Sequence, residues 1–448
     1  MERERTYVCI DLKSFYASVE CVRRGLDPMT TRLVVADPTR SEMTICLAVS
    51  PAMKAAGVKN RCRLYEIPEG IDYITAQPRM NSYMEVSAEI YGTYLRYVSQ
   101  EDIHPYSIDE CFIDATPYLE LYDLTAREFA DTLRSAVLAE TGIPATVGIG
   151  PNLFLAKVAL DISAKHALDG VGELDARSFR ESIWRHRPIT DIWNIGPGIA
   201  RRLAKYRVFD LKGVAEMDPD VLYGEFGGNA EYLIDHAWGY EPCGMAQIKS
   251  YKASTNSISE GQVLTCPYPN DKAKLIVREM AEILMFRLTE KKLVTESITL
   301  EIGYDRENVD KGSYRGLTQT DRYGRIIPKA AHGTVRFDAP TNLGSTLINE
   351  SAKLFERITD PALTVRRITL NANKVTPDEG IYQVDFFTDT KKLEKEKKLQ
   401  QAMLGIKNKY GKNAVLKASS YEEGATMRQR NAQIGGHSAG GSDGKLQK

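Results

Sequence analysis

Three carboxylates stand out by type and setting: Asp11 near the end of the short apolar run YVCIDL (7 to 12), and the adjacent Asp109 and Glu110 in YSIDE (106 to 110). Three acids within a few Å of one another repel unless something positive sits between them. Magnesium suits that place, because it takes a few carboxylates together with substrate phosphate oxygens. Two such ions are the standard clamp for in-line phosphoryl or nucleotidyl transfer. An Asp-Glu pair taken alone is more often solvated surface, so the chemistry depends on whether the fold brings Asp11 to the pair.

The surrounding elements predict that it does. Residues 7 to 12 read as a buried strand, and SFYASVECVRR after it places Phe15, Val19 and Val22 at helical spacing. IHPYSIDECFIDA (103 to 115) reads as two short strands about a tight turn at Ile108 to Glu110. REFADTLRSAVLAETG (127 to 142) is helical and ends on Gly142, and PATVGIG (144 to 150) is again a strand. Strand, helix, two strands, helix, strand is a split βαβ or ferredoxin-like arrangement, in which the first strand lies beside a hairpin strand and Asp11 meets Asp109.

Other stretches extend this organisation. An insertion at about 26 to 78 carries its own apolar runs, LVVA and ICLAV. From about 176 to 245 the pattern is helical, broken by the turns IGPG (195 to 198) and FGG (226 to 228). From 250 to 375, strands such as ESITLEIGY and VRRITLNANKV flank helical stretches at 271 to 292 and 345 to 358. The tail from about 376 ends in GGHSAGGSDGKLQK, and its last dozen residues read as disordered.

The length, 448 residues, suggests about three domains. With 43% hydrophobic and 27% charged residues the chain is neither disordered nor fibrous. No run of about 18 apolar residues occurs and the start lacks a signal-peptide core, so a cytoplasmic protein with no membrane association is expected. Seven scattered cysteines with no C-x-x-C spacing argue against a disulfide framework and a zinc site. The net charge of −1 hides an uneven distribution: residues 391 to 448 hold 13 Lys/Arg against 5 Asp/Glu, leaving −9 on the remainder.

IDLKSFYASVE (10 to 20) together with YSIDE (106 to 110) resembles the Y-family translesion DNA polymerases. GIGPNLFLAKVALDISAKH (148 to 166), the IGPG turn and the order of elements extend the resemblance along the chain, and the ending RNAQIGGHSAGG is similar to the UmuC-like bacterial subgroup. The implied fold is α+β and multidomain. It would comprise a ferredoxin-like palm (1 to 25 and 79 to 175), a short fingers insertion (26 to 78), an all-α helix-hairpin-helix thumb (176 to 245), an α+β little finger (250 to 375) and a basic C-terminal tail (376 to 448).

The resemblance implies a low-fidelity DNA polymerase of damage tolerance and the SOS response, with primer-template DNA and deoxynucleoside triphosphates as substrates and two Mg2+ ions per active site. Asp11 and Asp109 would bridge both ions, Glu110 would complete one site, and Leu12 would lend its backbone carbonyl. Of Phe15 and Tyr16, the resemblance makes Tyr16 the steric gate against a 2′ hydroxyl, with aromatic core packing as the alternative. Lys54 and Lys165 match basic positions that hold the triphosphate. Pro51 stands where many members carry a Tyr, and Lys54 where they carry an Arg, so the phosphate grip lacks a bidentate fork.

Ile195, Gly196 and Gly198, with Arg201 and Arg202 on the following helix, would bind a DNA phosphate through backbone amides at a helix N-terminus. QVDFF (383 to 387) resembles a sliding-clamp motif anchored by Gln383, Val384, Phe386 and Phe387, although folding back on the little finger is an alternative. The charged helix expected at 391 to 412 is either a solvated face or a DNA neighbour. A monomer is expected.

Competing functions are weaker. GIGPNL lacks the last glycine of a dinucleotide fingerprint, and no P-loop sequence occurs. A non-catalytic DNA-binding scaffold is the alternative that Pro51 and Lys54 favour and the three acids disfavour. A nucleotide cyclase shares the sheet and acids but leaves the turn-rich helical region and basic tail without a purpose.

Overall fold

The computed structural model describes residues 5–39, 43–253, 256–312, 314–321, 324–380 and 390–440. The chain divides into two units, Met1–Tyr251 with Ala439–Lys448, and Lys252–Ser438.

The first unit begins with β1 (Tyr7–Leu12) and α1 (Phe15–Val22), followed by the insertion with β2 (Leu33–Val35), β3 (Ala48–Val49), α2 (Pro51–Ala55) and β4 (Ile74–Ala76). Then come α3 (Met80–Tyr94), β5 (Ile103–Pro105), β6 (Glu110–Asp114), α4 (Thr116–Tyr122), α5 (Ala126–Thr141), β7 (Ala145–Gly150), α6 (Leu153–Val158) and β8 (Val171–Glu173). The five longer-range strands form one sheet in the order β5-β6-β1-β7-β8. All its pairs are antiparallel except β7 with β8. The expected placement of the first strand beside the hairpin is therefore observed.

Alternation along β1 assigns its two faces. Tyr7 and Cys9 join Phe112 in a core with Leu153, Ala156, Leu160 and Ala164, so Asp11 belongs to the face covered by α6 and the turn after it. That turn, Ala159–Ala164, is π-helical. Close approach of this helix requires glycine on the sheet. A Cβ on Gly148 would lie 2.1 Å from the Ala156 carbonyl oxygen, and one on Gly172 would lie 2.4 Å from that of Ala159. α5 packs on β7 and β1 and is fixed at its start by a Thr125–Glu128 capping box and at its end by Gly142 at φ 68°.

The insertion forms a three-stranded sheet, β3-β2-β4, over a small core of Val34, Cys46, Val49, Met53, Val58 and Cys62. Pro51 occupies the first turn of α2, where its missing N–H costs nothing, and buried Ser50 caps the helix by accepting from Met53 N. The rest of the first unit is helical: α7 (Ala176–Ser182), α8 (Pro197–Ala204), α9 (Leu211–Ala215), α10 (Pro219–Phe226), α11 (Asn229–Ala237) and α12 (Met245–Ser250). Most of these helices pack around Phe179, Leu203, Leu222, Phe226 and Leu233.

The second unit contains β9 (Ile258–Tyr268), α13 (Asn270–Glu290), β10 (Leu293–Tyr304), α14 (Glu307–Asp310), β11 (Thr318–Thr320), β12 (Ile326–Pro328), β13 (Ala331–Thr341), α15 (Gly344–Ile358) and β14 (Val365–Pro377). Its four-stranded sheet has the order β13-β10-β14-β9. Ile298, Leu300, Ile302, Ile368 and Leu370 point into a core shared with Ile276, Met280 and Leu284 of α13 and Leu347 and Phe355 of α15.

The charged helix expected at 391 to 412 is present, and it packs on the rest of the second unit with one of its faces. α16 (Thr390–Tyr410) lays Glu396 and Gln400 over the start of α15. There the Gln400 Oε1 accepts from Gly344 N at 2.8 Å and the Glu396 Oε1 from Ser345 N at 2.7 Å. These are amides that a helix cannot satisfy itself. Farther on, the buried Glu279 carboxylate accepts from Thr426 N and Met427 N, and Arg430 donates to Glu260 and Gln262 on β9. A charge count misses these contacts because each uses a polar side chain on a backbone or ionic partner. Gln383, Val384, Phe386 and Phe387 lie outside the described residues, as do residues 441–448 of the expected disordered end. His437 and Ser438 pair in a short ladder with Gln433 and Ile434.

Candidate active site

Antiparallel pairing puts Asp11 directly opposite Glu110, and on the other side opposite Thr146. Glu110 is thus the first residue of β6 rather than part of the turn, and it is the Asp109 carbonyl that accepts from Leu12 N, at 2.9 Å. All three acids meet at one end of the sheet, as the spacing predicts. Burial first, and then the Asp109 and Glu110 carboxylates, outweigh the pull of Lys165 and raise the Asp11 carboxyl to about 7. Asp109 is held by the Ser107 hydroxyl, which donates to its Oδ1 at 2.7 Å.

Glu110 has an internal partner that the sequence reading missed. The Lys157 ammonium, on α6, lies 2.7 Å from Glu110 Oε1 and 2.9 Å from Asp161 Oδ2. Cys9 Sγ also donates to Glu110 Oε1, at 3.3 Å. Burial disfavours the Lys157 charge, but Asp161 and Glu110 more than offset that and raise its pKa. Asp161 in turn bonds Lys165 Nζ at 2.8 Å, so Lys165, 48% exposed at its side chain, is tied to the same network. Lys54 also faces the site: burial lowers its pKa, the nearby Asp11 raises it and Lys165 lowers it. The only available signal for Lys157 was a lysine in an otherwise apolar helical stretch, FLAKVAL.

The donor set fits hard divalent cations: three carboxylates and the end of a strand at Leu12, with like charges crowding a partly buried Asp11 that a cation would relieve. No closed group of three or more metal-ligating side chains is formed among the described residues.

Phe15 is buried in the core and Tyr16 is half-buried. Tyr16 stacks on Tyr83 with centroids 4.5 Å apart. Burial and the Asp109 charge raise its pKa and Arg61 lowers it, so its hydroxyl shares the field of the acids. Behind it, Tyr83 donates to the buried Glu20, which also holds Arg79 and Arg24.

In the helical region, Gly196 caps α8, Ile195 is buried in the local core, and a cavity of about 530 Å³ is lined by Gly198, Ile199, Arg201, Arg202 and Lys205. Arg202 is committed within the region, bonding Glu225 at 2.9 Å and lying over Phe226. Arg201 has no such partner among the described residues and is the freer cation. On the second unit, strand alternation turns Ser259, Thr299, Thr334, Thr369, Asn371 and Asn373 away from its core, with Arg336 and Arg367.

Residues 10–161 match the model of the impB/mucB/samB family, and residues 255–386 match that of the impB/mucB/samB family C-terminal domain. The chain is 30% identical over 441 residues to "Putative UV-damage repair protein UvrX" of Bacillus subtilis (strain 168), with 97% of each chain covered. It is 29% identical over 442 residues to DNA polymerase IV 2 of the same organism, covering 98% of this chain and 100% of that protein. Among solved structures, the Y-family DNA polymerase chimera Dbh-Dpo4(243-245)-Dbh shares the fold, with a TM-score of 0.59 at 19% identity over 83% of this chain and 99% of that one. No described helix is long and apolar enough to cross a membrane. Full-length kinship, two family matches and a shared fold place the chain in the impB/mucB/samB family, the Y-family of DNA-directed DNA polymerases.

Proposed function

We propose that the chain transfers a nucleotidyl group from a deoxynucleoside triphosphate to a primer 3′ hydroxyl on damaged as well as intact templates, with two Mg2+ ions held by Asp11, Leu12, Asp109 and Glu110. The observation that carries this reading is the pairing of Asp11 opposite Glu110 and beside Asp109. When bound, such ions supply Lewis acidity to the attacking hydroxyl and to the phosphate oxygens.

The chain's own residues supply position and charge. Lys54 and Lys165 would meet the triphosphate from one side of the acids, Lys165 exchanging Asp161 for phosphate oxygens. Tyr16, backed by Tyr83, would stand against the sugar and exclude a 2′ hydroxyl. The small insertion, with a five-residue helix and three short strands, offers little surface to close over a base pair, which supports low selectivity between correct and incorrect pairs. Amides at the start of α8, Arg201, and the hydroxyl- and amide-rich face of the second sheet would grip DNA without reading sequence. QVDFF would recruit a sliding clamp. The setting would be cytoplasmic and the working form a monomer.

The test is extension of a labelled primer on undamaged and abasic templates with Mg2+, comparing the parent with Asp109→Ala, Glu110→Ala. Extension by the parent alone, continuing past the abasic site, is expected. No extension by either protein while DNA is still bound, with clamp present, would sink the reading in favour of a scaffold.

A further inference from the structure

The proposal concerns Lys157 and rests on the reading of Glu110 as a metal ligand. Lys157 is 8% exposed at its side chain, against 48% for Lys165, so it is not placed to meet a substrate as Lys165 is. A lysine this buried is tolerated only with close counter-charges, and it has two, Glu110 and Asp161. The surrounding backbone is arranged to bring it there. Gly148, opposite Cys9 in register, has no room for a Cβ and lets α6 lie against the sheet. The π-turn Ala159–Ala164 then widens the next turn, an insertion that recurs at functional sites. Asp161 thereby stands between Lys157 and Lys165. Both protein donors to Glu110, Lys157 Nζ and Cys9 Sγ, use Oε1; Oε2 has no hydrogen-bond partner among the described residues.

We propose that Lys157 is a positioning residue of the active site: it fixes the Glu110 carboxylate through Oε1, leaves Oε2 for a divalent cation, and serves as the resident counter-charge of the acidic cluster before that cation arrives. Lys157 acts through Glu110 and not on the nucleotide. Its loss therefore lowers turnover without weakening triphosphate binding to match. It also leaves Glu110 without its ammonium partner in the absence of metal, so added metal restores more stability to the variant than to the parent.

The experiment uses the full-length parent, Lys157→Met, Lys157→Arg and Glu110→Ala. The kcat and KM for single-nucleotide addition and the thermal midpoint in EDTA and in Mn2+ are measured for each. For Lys157→Met a tenfold to hundredfold fall in kcat is expected, on the order seen when the group orienting a metal ligand is removed. KM should stay within about threefold, and the midpoint deficit in EDTA should shrink in Mn2+. Lys157→Arg keeps the charge and moves the donor, so its midpoint should respond to Mn2+ as the parent's does while kcat falls less.

Parental kcat in Lys157→Met, or an equal midpoint deficit with and without Mn2+, would overturn the proposal and leave a packing role. Should Lys157→Met fail to fold, parental kcat in Lys157→Arg overturns it. Glu110→Ala separates the two claims: if Mn2+ stabilises that variant as it does the parent, Glu110 is not a metal ligand, whatever Lys157 does.

Discussion

Tyr16 lies flat on Tyr83, ring centroids 4.5 Å apart and planes inclined by 16°, and the Tyr83 hydroxyl donates at 2.8 Å to the fully buried Glu20. The residue nearest the nucleotide sugar in the proposed mechanism is thus held from behind by a chain of contacts ending in the Arg79 and Arg24 guanidiniums. Offset stacking adds on the order of 1 kcal/mol beyond area burial, enough to favour one orientation of Tyr16.

Tyr16→Ala should therefore lower the ratio of kcat/KM for a deoxynucleotide over its ribonucleotide by about tenfold to a hundredfold. Tyr83→Leu, which keeps Tyr16 and removes its support, should lower the same ratio by less. Single-nucleotide insertion kinetics with dCTP and CTP measure both. An unchanged ratio in Tyr16→Ala would remove the gate assignment.

Glu20→Gln should destabilise the first unit by about 3 to 5 kcal/mol at neutral pH, since it strips a buried ion pair of its anion. Burial pushes the Glu20 carboxyl up, and the hydrogen bonds from Arg79, Arg24 and Tyr83 more than offset it, leaving a lowered pKa. A lowered folded value means that the stabilisation is complete above the ordinary glutamate value of about 4.3. It is lost as pH falls through the folded value. Urea unfolding of parent and variant should differ most near pH 7 and converge in acid.

Gly148→Ala should cost about 3 kcal/mol or more, because its methyl would meet the Ala156 carbonyl oxygen at 2.1 Å and the Leu160 amide nitrogen at 2.3 Å, both backbone. Gly92→Ala is the contrast: it lies in α3 with nothing within 4 Å of a Cβ, so helix propensity should stabilise the chain by roughly 1 kcal/mol. Thermal midpoints moving in opposite directions would satisfy both expectations.

Arg336→Ala and Arg367→Ala, on the outward face of the second sheet, should each weaken binding of primer-template uniformly across sequences. Each should also reduce the slope of log K against log salt by about one. Fluorescence anisotropy at several salt concentrations gives the slope. A slope unchanged in both variants would remove that face from the DNA interface.

Local signals in the chain determined much of this protein. The apolar run YVCIDL, the Gly142 helix end and the turn before Glu110 specify a strand-helix-hairpin-helix-strand order, and that order alone brings Asp11 to Asp109 and Glu110. Short-range patterns report which residues share a strand or a helix face, so they carry as far as the carboxylates and the aromatic pair at 15 and 16. Tertiary structure decided the rest, because it rests on contacts between residues far apart in the chain. Register set Asp11 against Glu110 rather than Asp109. Close helix-to-sheet approach over Gly148 brought Lys157 to Glu110, 47 residues away in sequence, a partner that no spacing rule links to it. The charged helix after 389 behaves likewise: its composition reads as a solvated face or a DNA neighbour, yet Gln400 and Glu396 satisfy the open amides of α15, a need created only once that helix has formed.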